Sequence, residues 1–321
     1  MGVIESLSAG YRFLGRRVEL LLIPIVVDLL LWLGPRLSIA PLFGRLADFY
    51  RNAANMDGMS GDLGEMSRQV ADLLADAGAN TNLLSNLTGS AFLHTPSLLV
   101  TVNSLAQGAP QEIDSFAAAL ILFLLLGAAG LLVGVVYLNQ LARVLPIGSS
   151  PKTAEPGEFM QTALHQWRQV VLYVVLLMVA LILITIPIGL IMGLVGLFSP
   201  GLASLLAILL SGAVMVLSIY LYFVTVAIVL DNLSVTRAVM QSFTLVRNNF
   251  WATLGFILLF QLITVGFSLI MGQIAAGSAL GTLIAIPLNA YIGSGLALAL
   301  LVFYRTRILK HEELARFAGA S

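Results

Sequence analysis

The sequence predicts an all-α membrane protein: six transmembrane helices in three tandem units of interfacial helix and hairpin, plus an extracytoplasmic helical insertion. Three observations carry this. The 321 residues are 59% hydrophobic and only 10% charged, with a mean hydropathy of +0.98, whereas soluble domains carry roughly a quarter charged residues. Six apolar segments approach the roughly 20 residues needed to cross a hydrocarbon core of about 30 Å. A mixed polar and apolar helix from Asp231 runs through Arg247, Asn248 and Asn249 into an apolar run, an elbow whose plan recurs before Val18 and Val170.

The first unit occupies residues 1–34. Val3, Leu7, Tyr11 and Leu14 recur at helical spacing, and Arg16-Arg17 precede an apolar run from Val18 to Gly34. This is the shortest of the six spans. Its start imitates a signal peptide, but Asp28 interrupts the run and Pro41 follows the only small-residue cleavage site, so the segment is expected to be retained.

Residues 35–114 form the expected extracytoplasmic cap. Leu42, Phe43, Leu46, Phe49 and Tyr50 share one helical face, and Leu63, Met66, Val70, Leu73 and Leu74 share another, with acids opposite. Linkers rich in Asn, Gly and Ser follow each, the second containing an Asn86-Leu87-Thr88 sequon. These helices are expected to lie on the outer membrane surface or to cap the bundle.

Residues 115–304 hold the other five spans: Phe116 to Leu138, Val170 to Gly196, Leu202 to Leu230, Phe250 to Met271 and Leu280 to Tyr304. The last four pair as hairpins turned at Phe198-Ser199-Pro200-Gly201 and Ala275-Ala276-Gly277-Ser278. Interfacial helices are expected at about 157–168 and 233–249. Met160-Gln161-Thr162 and Met240-Gln241-Ser242 occupy matching places in them, which supports repetition. Residues 305–321 read as a cytoplasmic tail.

Orientation follows from the cations. One side collects Arg12, Arg16, Arg17, Arg143, Lys152, Arg168, Arg237, Arg247, Arg305, Arg307, Lys310 and Arg316, while the insertion is rich in acids. The positive-inside rule then puts both termini in the cytoplasm of a multi-pass cell-membrane protein.

The run Ala238 to Phe243, continued by Leu245-Val246-Arg247-Asn248-Asn249-Phe250-Trp251, resembles the six-span membrane domains of bacterial glycerophosphoryl diester phosphodiesterases and related uncharacterised bacterial membrane proteins. The likeness covers about the last half of the chain. The first span, from Leu22-Ile23-Pro24 to Gly34-Pro35-Arg36, looks like the start of such proteins too. What the resemblance implies is architecture and a bacterial membrane. The phosphodiesterase activity would belong to a soluble barrel for which this sequence has no room.

Chemistry is sparse. Net charge is zero and there is no cysteine, so nucleic acid is not an expected partner and thiolate catalysis and Cys-ligated metals are excluded. His94, His165 and His311 are scattered, and no catalytic triad spacing, HExxH helix or phosphate-binding glycine loop occurs. The chain is therefore expected to be non-enzymatic, with no cofactor and no metal. Asp28 is the one carboxylate placed within a span, where it costs at least about 2.5 kcal/mol if charged and must find a partner. With Gln261 and Asn289 it forms a candidate intramembrane polar site, against the alternative that amides are packing glue. Arg168, Arg237, Arg247, Arg305 and Arg307 are candidate lipid head-group contacts. Partners are membrane lipids and, on a scaffold reading, other membrane proteins. Two functions stay open: a scaffold, accessory subunit or lipid-organising component, and a transporter or channel for a small solute or lipid with Asp28 near the pathway.

Overall fold

The computed structural model describes residues 2–15, 17–55, 61–102, 105, 108–145 and 156–319, and the chain divides into two compact units. The first holds residues 1–17, 135–263 and 295–321, and the second residues 18–134 and 264–294. Arg16 and Lys152, two of the orienting cations, lie outside the described residues.

In chain order the elements are α1 (Val3–Leu14), α2 (Leu22–Leu33), β1 (Arg36–Ser38), α3 (Ala40–Ala54), α4 (Asp62–Asn80), α5 (Ser90–Leu93), α6 (Leu98–Thr101), β2 (Pro110–Glu112) and α7 (Phe116–Val144). They continue as α8 (Pro156–Phe198), α9 (Pro200–Leu221), α10 (Val224–Asp231), α11 (Val235–Asn248), α12 (Phe250–Ala276) and α13 (Ala279–Gly319). Single 3-10 turns occupy Val18–Leu21 and Leu83–Thr88. Among the described residues, five stretches are long and apolar enough to cross a membrane: α7, α8, α9 with α10, α12 and α13. A multi-pass, overwhelmingly helical membrane protein is what these lengths describe.

The sixth expected span is not among the five. The apolar run from Val18 breaks after Leu21, and α2 has 12 residues, about 18 Å at 1.5 Å per residue. The three elbows also differ from one another. In the third, α11 ends at Asn248 and α12 begins at Phe250. In the second there is no joint at all, because α8 runs 43 residues through Arg168, about 64 Å. Gln161 and Thr162 are exposed, whereas Ser242 is fully buried, so the matched tripeptides occupy different environments.

The first unit is built on small residues facing inward. Helix α1 buries Ser6, Ala9, Gly10 and Leu14, not the Val3, Leu7 and Tyr11 of its apolar stripe. A Cβ on Gly10 would meet the backbone of Gly295 and Ala299 in α13 at 2.6 Å, so only hydrogen there lets α1 lie against α13. In α11 the buried face is Val235, Ala238, Ser242, Leu245 and Val246. Ser242 ties off the break between α9 and α10: its hydroxyl donates to the Tyr220 carbonyl at 2.6 Å and accepts from the Phe223 N–H at 3.3 Å, satisfying groups that the helix leaves open. Phe223, Phe256 and Phe303 stack at the centre, with Phe256 and Phe303 centroids 4.6 Å apart. Gln166 bridges α7 to α10, accepting from Asn139 at 2.6 Å and donating to the Val229 carbonyl at 2.9 Å.

The second unit contains the insertion. Its α3 and α4 pair through Ala47, Ala71 and Gly78, with Phe43 against Gly78 and Arg51 3.2 Å from Asp72. Leu46, Phe49, Met66 and Leu73 are left exposed, as an interfacial hairpin would leave them. A two-stranded parallel sheet closes the insertion, with Arg36 opposite Pro110 and Ser38 opposite Glu112; the helical pattern of the sequence gives no sign of it.

Residues 83–102 form a core segment, so the later part of the expected linker between Gly78 and Ser90 is not at the surface. Leu93, Thr95, Leu98 and Leu99 are each at most 3% exposed. Gly89, at φ +60, and Gly130 of α7 approach so closely that a Cβ on either would strike backbone. Gly134 faces Leu93, Gly272 faces Val102 and Gly293 faces Pro96. Thr88 of the sequon is 1% exposed in this packing. Irregular backbone survives at membrane depth only where protein surrounds it, and here Leu98, Leu99 and Leu105 join Val27, Leu31, Trp32, Met271 and Ile286 in one apolar cluster.

Candidate functional site

Asp28 is fully buried, and its partners explain how. The Ser97 hydroxyl donates to Oδ1, and the Leu98 N–H donates to Oδ2 at 2.9 Å. Both donors belong to the start of α6, whose first N–H groups have no partner within the helix. Asp28 therefore works as a clamp that fixes the buried segment to α2.

The other two members of the expected polar site do not join it. Asn289 is 6% exposed and accepts from the Ser268 hydroxyl at 3.2 Å, a bond between α12 and α13. Gln261 is exposed on α12. Pro187 and Pro287 lie within continuous helices, so neither opens the unwound backbone that would build a midplane site.

The densest polar cluster lies in the first unit, around Asp231. Arg305 Nη1 donates to Oδ1 at 2.5 Å, and the Tyr304 hydroxyl donates to Oδ2 at 2.5 Å. Gln241 Nε2 donates to Oδ2 at 2.9 Å and to the Tyr304 oxygen at 2.8 Å. The Arg305 and Asp231 side chains are only 13% and 15% exposed. This buried pair turns Arg305 inward, away from the head-group role expected for it. The cluster was hidden in the sequence because Asp231 and Arg305 are 74 residues apart. Asp231 at the end of an apolar run was the one signal for it.

Two residues after Arg305, and so about 200° around the helix, Arg307 lines a separate cleft of about 240 Å³. Its other polar walls are Gln241, Thr244 and Asn248, one face of α11 by their three- and four-residue spacing, and Asn249 at the joint. Among the described residues, no acid lines it. The Arg307 guanidinium lies over the Phe303 ring, 5.0 Å from the centroid, and its Nε is shielded from solvent with no hydrogen-bond partner.

Of the remaining arginines, Arg168, Arg237 and Arg247 are exposed. On the same outward face as Arg247, at spacings of three to four, lie Met240 at 66% and Phe243 at 38% exposure, and just past the joint Trp251 of α12 is 80% exposed. An arginine among exposed apolar and aromatic side chains is the composition of a helix lying in a membrane interface. No family model, curated protein or solved structure matches the chain, so the reading of this surface rests on its own geometry.

Proposed function

We propose that the protein is a non-enzymatic membrane component that organises acidic lipid around its elbow helices, as a scaffold or accessory part of a membrane assembly. The observation that carries this reading is the outward face of α11, where Arg247 lies in line with exposed Met240 and Phe243, followed just past the joint by exposed Trp251. The two buried aspartates support it as well, since Asp28 and Asp231 are engaged in holding backbone and side chains together. Near an anionic surface each arginine contributes about 1 kcal/mol. Replacing Arg168, Arg237 and Arg247 together by Gln is expected to cut the acidic lipid retained on the purified protein by about fivefold per arginine at low salt. Lipid extraction and mass spectrometry read the ratio, and an unchanged ratio sinks the proposal.

The same reading makes α2 and its preceding turn a sixth crossing, which returns both ends of the chain to the arginine-rich, cytoplasmic side. Reporters fused at the N-terminus and after Ser60 then report opposite sides of the membrane; the same side for both means that α2 does not cross.

A further inference from the structure

We infer that the cleft between α11 and the Arg307 turn of α13 is a binding site for a phosphate group, with the Arg307 guanidinium as its anchor. The inference deepens the lipid-organising reading by giving it one saturable site, distinct from the exposed arginines.

Charge comes first. Arg305 is neutralised by Asp231, and Arg307 makes no ion pair among the described residues. Among the described residues, no carboxylate lines the cleft. The C-terminal end of α11 and the N-terminal end of α12 meet at Asn249, so their opposed partial charges offset and Arg307 decides the sign. The stacking on Phe303 holds the guanidinium plane in one orientation, which spares part of the ordering cost of a forked contact.

The remaining donors narrow the ligand. Gln241 spends its N–H groups on Asp231 and Tyr304, and Thr244 gives its hydroxyl hydrogen to the Met240 carbonyl. Asn249 uses one N–H on the Leu245 carbonyl. What is left is the Arg307 fork, its partnerless Nε, the Asn248 amide and the second Asn249 N–H. Two oxygens of a carboxylate would be taken up by the fork alone. A phosphate monoester has three terminal oxygens: the arginine fork matches two of them at once, and the third is left for the two amides. The cleft also reaches Asn249, immediately before the apolar run of α12 begins. That is the level of lipid phosphates in a bilayer. A soluble phosphate ester shares the chemistry.

The test uses the full chain in mild detergent and native mass spectrometry. It is titrated with phosphatidic acid, with a fatty acid as the carboxylate comparison, and with glycerol phosphate as the soluble arm. One equivalent of phosphatidic acid is expected to bind saturably, about tenfold tighter than the fatty acid, and Arg307→Gln is expected to weaken it by about tenfold. Arg168, Arg237 and Arg247 variants leave this single equivalent in place, so failure of the surface reading and failure of the site are read separately. Glycerol phosphate binding with the same Arg307 dependence, without lipid binding, supports the site and assigns it a soluble ester. If neither phosphate compound binds in an Arg307-dependent way, the proposal is overturned. Should Arg307→Gln not fold, Arg307→Lys and Asn248→Ala decide the matter: both weaken binding if the site is real, and unchanged affinity in both refutes it.

Discussion

Asp231→Ala lowers the stability of the detergent-solubilised protein by about 3–5 kcal/mol, because it strands the Arg305 guanidinium in a place where only 13% of the side chain reaches solvent. For a chain of this size that is a drop of about 4–7 °C in the thermal midpoint. The loss reaches past the ion pair, since Tyr304 and Gln241 donate to the same carboxylate. Asp231→Ala combined with Arg305→Ala recovers part of it, because the double variant leaves no unpaired charge. A thermal unfolding series on the two single variants and the double checks this. Single variants within 2 °C of the parent would mean that the pair is solvated and contributes little.

Gly130→Ala is the second large effect. The added methyl would run into the Asn86 carbonyl and the Leu87 backbone, and backbone in a packed segment cannot step aside as a side chain can. Overpacking of this kind costs about 1–3 kcal/mol, or more when main chain must move. Gly127→Ala, one turn earlier in α7, has nothing within 4 Å of the new methyl. There the change is neutral or slightly stabilising, since Ala is the better helix former by about 1 kcal/mol. Fluorescence-detected size exclusion after heating both variants separates them. Equal behaviour would show that residues 83–89 do not press on α7.

This contrast shows what could be read from the sequence. Gly127, Gly130 and Gly134 form one row of small residues, and so do Gly189, Gly193 and Gly196. Spacing alone assigns both rows to close helix approach. Gly130 and Gly134 do meet residues 86–93, while Gly189 and Gly193 face open space, and no residue in the most apolar 18-residue stretch of α8 is buried. Hydropathy reports that a helix tolerates lipid, and it is blind to whether protein or lipid covers a given face. The five long helices were legible for that reason, as were the α3 and α4 amphipathic segments. Residues 83–102 were not, because an irregular stretch rich in Asn, Ser and Thr reads as a surface linker unless its surroundings are known.

Asp28 shows the same limit from the polar side. A carboxylate in an apolar run demands a partner, and that demand was visible. The identity of the partner was not, since Ser97 and Leu98 lie 69 and 70 residues away. Arg307 was marked as a cation for head groups, but its difference from Arg305 depends on which side of α13 meets Asp231. Neighbours two apart on a helix point apart, so the burial of one releases the other.

The separation of Asp231 and Arg305 also bears on how the molecule is made. Chains emerge at about 5–20 residues per second, so about 4–15 s pass between synthesis of the aspartate and of the arginine 74 positions later. Through that interval α10 carries a carboxylate without its counter-charge. Helix α13 then supplies Tyr304 and Arg305 together, and with Gly293 and Gly295 it meets partners made more than 190 residues before, at Pro96 and Tyr11. Until α13 is made, Asp231 therefore lacks its counter-charge, and Pro96 and Tyr11 lack the glycines against which they pack.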